Sequence, residues 1–250
     1  MSKKIKIPER NKKNFPYALC LVYWEDIVGE TNWADIVDIK NVKDGALGYV
    51  GDSSIEEIIK IFSNNKLSVT AGNDSSPLTK KQSKRIEFLD QLGIEYVKIG
   101  IFDTNLLEDH YNFLKSVKHL TIKTVGVIFA DLIDSEQEIE EILKLNYDGL
   151  MIDTASKNNQ STLDILSTDT LKFFVESCKK SDKFCGISGS LTSIRLKETL
   201  SLQPNFIGLR GALCSHSNRE NIDPVMCKNI CLLYTSDAAD EGLGVDLGGR

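Results

Sequence analysis

Histidine is scarce in this chain, at three residues in 250, and no two are spaced as metal ligands, so a metal-assisted route through a histidine cluster is not expected. Six cysteines (Cys20, Cys178, Cys185, Cys214, Cys227 and Cys231) form no CxxC pair and no disulfide-framework spacing. That argues against a stapled secreted scaffold and fits reduced thiols in a cytoplasm. No apolar run reaches the roughly 18 residues of a membrane span. The basic head, residues 1–17, has no apolar h-region of the kind a signal peptide carries. Basic residues are also in deficit, 30 Lys and Arg against 36 Asp and Glu, a net charge of −6. Nucleic acid is therefore not an expected partner, because neutralising phosphates takes a surplus of cations. An anionic ligand must be small and met locally.

What is present is a regular alternation. Short apolar segments read as strands at 18–23, 34–40, 66–71, 95–100, 122–129, 149–153, 184–188 and 205–210. Between them run amphipathic patterns such as "SIEEIIKIFSNN", where Ile55, Ile58, Ile59 and Phe62 share a stripe behind an N-cap-like Ser53 or Ser54. Eight strands alternating with helices over about 250 residues predict an α/β protein of the (β/α)8 TIM-barrel type rather than a doubly wound sheet. No repeat, linker or domain break interrupts the series, so 18–230 is expected to be one barrel domain behind a basic extension, 1–17.

The end of the chain changes character. Residues 231–250, "CLLYTSDAADEGLGVDLGGR", lose the Lys, Ile and Asn richness of the rest. "CLLYTSDAADE" resembles translated transposase-adapter DNA from sequencing libraries. The expectation is an adapter-derived tail, with the native gene cut near Ile230, the last helix truncated, and Cys231 not native.

Ionisable residues sit where a barrel keeps its chemistry. Side chains alternate along a strand, one set facing the helices and the other the barrel interior. In "ADIVDIK" the apolar Val37 and Ile39 take the helix face, which leaves Asp38 and Lys40 inward at the C-terminal end. In "EYVKIG" the same logic sends Tyr96 and Lys98 inward. In "GLMIDTASK" Asp153 faces in, with Lys157 on the following loop. Barrel active sites occupy that C-terminal rim. One inward Lys–Asp pair could be mere filling, but a cluster at three strand ends favours chemistry. Asp44 and Asp103 are read as solvated surface. A lysine crowded by another ammonium and shielded from water has its charged form disfavoured. A neutral amine then becomes available for a Schiff base, with neighbouring Asp and Lys moving protons. "ISGSLTS" and "LRGALCSHSNRE" place Gly189, Ser190, Arg210, Gly211 and Ala212 at the loops where barrels hold phosphate.

Taken together, "ADIVDIKNVKDGALG", "YVKIG", "DGLMIDTASKNNQSTLDIL" and "GLRGALC" resemble the (5-formylfuran-3-yl)methyl phosphate synthase family of methanofuran biosynthesis, over residues 18–230. The resemblance implies a cytoplasmic carbon–oxygen lyase acting on phosphates, a (β/α)8 barrel that condenses two glyceraldehyde 3-phosphate molecules without a cofactor or metal. It makes Lys40 the Schiff-base lysine, Lys98 the general acid/base, and Asp38, Asp153 and Lys157 assisting proton carriers. Ser190, Arg210, Gly211 and their neighbours would hold one phosphate, and Lys43 and Lys157 would assist the other. The implied partner is a small triose phosphate, with a homo-oligomer left open. The segment after the first strand is shorter than the family's usual first helix, and "YWED" replaces a small-residue turn there.

Three rival readings stand beside it. A "DxKxxD" decarboxylase array fails because its third member would fall on Lys43. A Schiff-base aldolase on another sugar phosphate shares the cluster. A degenerate, non-catalytic metabolite-binding barrel would be marked by loss of a catalytic lysine, and none is lost.

Overall fold

The computed structural model describes residues 18–23, 34–41, 43–62, 65–156, 160–214, 223, 225–227 and 229–230. Eight strands follow one another around a ring: β1 (Ala18–Tyr23), β2 (Ile36–Ile39), β3 (Lys66–Thr70), β4 (Tyr96–Ile101), β5 (Lys123–Phe129), β6 (Gly149–Asp153), β7 (Phe184–Ile187) and β8 (Phe206–Leu209). Each pairs in parallel with its neighbours, and β1 pairs with β8 to close the ring. The helices are α1 (Asp52–Ile61), α2 (Lys80–Gln91), α3 (Leu107–Val117), α4 (Glu136–Leu143), α5 (Thr162–Ile165), α6 (Thr168–Lys180) and α7 (Leu196–Ser201). Among the described residues, no helix is long and apolar enough to cross a membrane. The expected head at 1–17 and tail at 231–250 lie outside the described residues.

Alternation sorts the strand side chains as their polarity requires. Val37, Ile39, Val97, Ile99, Leu150, Ile152, Ile187 and Ile207 turn outward and are almost wholly buried with Ile55, Ile86, Phe113, Ile139 and Phe174 of the helices. Each such side chain contributes about 1.5–3 kcal/mol relative to exposure. The inner face carries a separate apolar layer of Ile36, Val125, Met151 and Phe206, flanked by Tyr96 and Phe184. Glycines make room for its rings: a Cβ on Gly186 would stand 2.1 Å from Phe206, and one on Gly149 would stand 2.2 Å from Phe184.

The N-terminal rim is stitched by side chains that lie just ahead of β4, β6 and β8. Glu95 Oε2 accepts from Leu67 N at 2.9 Å, Asp148 Oδ2 from Thr124 N at 2.7 Å, and Asn205 Oδ1 from Cys185 N at 2.8 Å. Each satisfies a backbone donor of the preceding strand at a point where the ladder begins, which removes an orphan N–H from the barrel floor.

Two local expectations need correction. Helix α1 is not capped by Ser53 or Ser54: its N-cap is Gly51, with no side-chain cap bond and a φ of 93°. The chain enters from the β2 loop in a left-handed conformation that glycine alone takes cheaply, so the helix starts at Asp52 and both serines fall in its first turn. The short helix α5, between β6 and α6, was not expected. Its signal is a capping box in which Ser161 and Asp164 satisfy each other's backbone donors.

Candidate active site

Of the inward lysines and aspartates, the structure joins two directly. Asp38 on β2 and Lys98 on β4 form an ion pair, Nζ to Oδ2 2.9 Å, although β3 runs between them. They can reach each other because β3 turns only the small Ser68 and Thr70 inward, its larger Leu67 and Val69 belonging to the outer core. Both members are deeply buried, Lys98 at 4% and Asp38 at 1% exposure. Lys40 lies two residues beyond Asp38 on the same face, a rise of about 6.6 Å along a strand, and is itself buried at 8% exposure. Removing two charges from water costs several kcal/mol per ion, so such a pair is weak evidence of stabilisation and better evidence of use.

Asp153 ends β6, which stands four strands from β2 around the ring. It is half-buried, and its Oδ1 accepts from Thr154 N at 2.7 Å. The loop that follows is held by Asp131, whose two carboxylate oxygens accept from Ala155 N and Ser156 N, each at 2.7 Å. These donors hold the Asp131 carboxyl below its usual range even though partial burial opposes them. Lys157, the next residue, lies outside the described residues.

The glycine-punctuated loop after β2 folds back on itself and over the barrel. Asn41 N donates to Gly48 O, and Thr70 Oγ1 donates to the same carbonyl at 2.7 Å. Asn73 ties it from the β3 side, accepting from Leu47 N at 2.8 Å and donating to Asp44 O at 2.6 Å. This brings Ala46 and Leu47 into an apolar cluster with Val127, Phe129 and Phe102, the two phenylalanine rings stacked at 4.7 Å. Lys43 and Asp44 are exposed on this loop. Sequence reasoning missed Leu47, Phe102, Phe129, Asp131 and Asn73. Only Asn73, set among turn residues, carried a local signal.

The loops after β7 and β8 bring the expected anion-binding residues to the same end of the barrel. Gly189 and Ser190 are both left-handed, with φ of 95° and 49°. Their backbone N–H groups donate to nothing among the described residues. Ser190 Oγ is buried without a hydrogen-bond partner there. The turn is braced from α5, where Thr162 N donates to Gly189 O at 3.1 Å and Thr162 Oγ1 donates to Ser188 O. Arg210 follows β8 directly and leads into a 3-10 turn, Gly211–Leu213, with Arg210 and Gly211 half-buried and Ala212 buried. Left-handed residues with free amides, small side chains and a guanidinium are the components of a phosphate nest.

A closed parallel ring with a buried lysine–carboxylate pair, a second buried lysine and small-residue loops after β7 and β8 defines an α/β protein whose candidate site lies at the C-terminal ends of its strands. The family model described as 4-HFC-P synthase matches residues 27–230, and the chain belongs to that family. It is 29% identical to the (5-formylfuran-3-yl)methyl phosphate synthase of Methanobrevibacter smithii, over 74% of this chain and 83% of that protein. It is 28% identical to the synthase of the same name from Methanococcus maripaludis, over 74% and 84%. Among solved structures, 3-keto-L-gulonate-6-phosphate decarboxylase from Vibrio cholerae superposes with a TM-score of 0.59 at 8% identity, over 87% of this chain and 98% of that one. KGPDC from Streptococcus mutans gives 0.56 at 11% identity, over 89% and 98%. At such identities the likeness concerns the fold alone.

Proposed function

We propose that the protein is a carbon–oxygen lyase that condenses two molecules of glyceraldehyde 3-phosphate into (5-formylfuran-3-yl)methyl phosphate, with loss of one phosphate and of water, as a step of methanofuran biosynthesis. The reading takes the strand ring as that of a (β/α)8 barrel and needs no metal or cofactor. Lys40 is the amine that forms the Schiff base. What supports the reading is that Lys40 is itself buried, two residues beyond Asp38 of the buried Asp38–Lys98 pair, and a Schiff-base lysine works in such water-poor surroundings.

The imine withdraws electrons from the adjacent carbon, so a proton can leave it and the resulting enamine can attack the aldehyde of the second triose. Lys98, its charge balanced by Asp38, gives and takes protons at the oxygens that leave as water. Asp153, four strands round the ring from Asp38, assists as a proton carrier, and Lys157 is a further one in this reading. The retained phosphate is held by the amides of Gly189, Ser190, Gly211 and Ala212 with Arg210, and the departing one is met by Lys43 and Lys157. Leu47, Phe102 and Phe129 exclude water from an intermediate that hydrolysis would destroy.

The test is borohydride reduction of the protein with glyceraldehyde 3-phosphate, followed by peptide mass spectrometry and by the ultraviolet absorbance of the furan. A reduced adduct on Lys40 that Lys40→Ala lacks, together with furan formation, is the expected result. Furan formation with no adduct removes the covalent mechanism, and an adduct without furan makes the protein an aldolase of another kind.

A further inference from the structure

Below the ion pair, toward the N-terminal end of the barrel, lies a cavity of about 110 Å³. Its walls include the first residues of β2, β4, β7 and β8, and four polar residues line it: Ser68, Tyr96, Lys98 and Asn205. Lys98 is buried, Tyr96 half-buried and Asn205 exposed, so the cavity leads from the proposed proton carrier to the outer rim. Ser68 stands in register with Asp38 on one side and Tyr96 on the other. It is 1% exposed, and its hydroxyl has no partner among the described residues; nor has Asp38 Oδ1.

A buried hydroxyl left without a partner is unfavourable because it forfeits its hydrogen bonds to water, and a buried carboxylate oxygen is more so. Wholly apolar cavities stay dry, but here the mainly apolar wall of Ile36, Val125, Phe184 and Phe206 is interrupted by the four polar residues, and at about 30 Å³ per molecule there is room for three or four waters.

We propose that this cavity is a water-filled proton port, through which Lys98 exchanges protons with solvent at the end of the barrel opposite the substrate mouth, with Ser68 as its positioning residue. The inference rests on the reading of Lys98 as general acid/base. After Lys98 gives a proton to a substrate oxygen, its neutral amine takes one from the adjacent water. That water is replenished along the chain, and the last member takes a proton from solvent. The front of the site can then remain closed by Leu47, Phe102 and Phe129 while protons are renewed from behind.

The test measures exchange of the Lys98 ammonium protons with water in the full chain labelled with 15N-lysine, by NMR. Val125→Phe plugs the cavity, and Ser68→Ala removes the hydroxyl. Val125→Leu serves where the larger plug prevents folding. The expected result is severalfold slower exchange in both variants, with a lowered kcat, a raised solvent isotope effect, an unchanged KM and an undiminished borohydride adduct on Lys40. Wild-type exchange rates in folded plugged protein overturn the port, as does a crystal structure with no water on Ser68 Oγ. Loss of the adduct and the furan in the wild type sinks the catalytic reading instead, and the exchange rates still decide whether Lys98 is reached from behind.

Discussion

Asp38 Oδ2 and Lys98 Nζ are joined at 2.9 Å across an intervening strand, with side-chain exposures of 2% and 6%. Removing one member strips the other of its counter-charge at 2.9 Å in a buried setting. Asp38→Ala is expected to lose about 3–5 kcal/mol of stability, measured as a shift in the urea midpoint. Asp38→Leu combined with Lys98→Met should recover most of that loss while producing no furan. Lys98→Met alone is expected to lower kcat by about 10²- to 10⁴-fold.

The direction of each side chain in that pair was legible in the sequence, and their contact was not. Alternation against Val37, Ile39, Val97 and Ile99 puts Asp38, Lys40 and Lys98 inside, because the outer surface of a barrel strand must be apolar. The contact depends on the register of β2, β3 and β4 and on Ser68 being small, which no local pattern reveals. Leu47 and Phe129 were illegible for another reason. Each is an ordinary apolar residue in or beside an apolar run, and only the fold of the β2 loop brings them together. Asp131 likewise reads as a surface acid until the loop after β6 is seen to hang from it.

His110 on α3 is fully buried, with Nδ1 2.6 Å from the Tyr147 hydroxyl and Nε2 without a partner among the described residues. Burial lowers its pKa from 6.5 to about 4, a little offset by the nearby Asp109 carboxylate. The unfolded chain therefore binds a proton here that the native chain refuses, from pH 6.5 down to about 4. Stability contributed by the neutral ring is complete above that window and is lost as pH falls through it, to about 3 kcal/mol in all. His110→Gln should flatten the dependence of the urea midpoint on pH across the same range.

Asp131 accepts from two consecutive amides, and an asparagine can accept only one of them while turning its NH2 toward the other. Asp131→Asn is expected to loosen the backbone at Ala155 and Ser156 and to lower kcat severalfold, with the Lys40 adduct still formed. The native preference for the charged carboxylate adds stability that is complete above the unfolded pKa and is lost as pH falls through the folded one. The variant should therefore also lose part of the acid sensitivity of the wild type, read by the same denaturation series.

Gly189 and Gly51 share a left-handed φ, 95° and 93°, but not their surroundings. A Cβ on Gly189 would meet Thr162 Oγ1 at 2.2 Å and Thr154 N at 2.9 Å, whereas one on Gly51 meets nothing within 4 Å. Both alanine variants carry the backbone strain, about 1 kcal/mol or more. Gly189→Ala must in addition push the β7 loop away from α5 and the end of β6, displacing the amides of Gly189 and Ser190. Titration of each variant with inorganic phosphate, followed by thermal shift, separates the two effects. Gly51→Ala should start from a lower Tm and be raised by phosphate as the wild type is, while Gly189→Ala should start lower and respond weakly. Equal phosphate responses in the two variants would place the anion somewhere other than this loop.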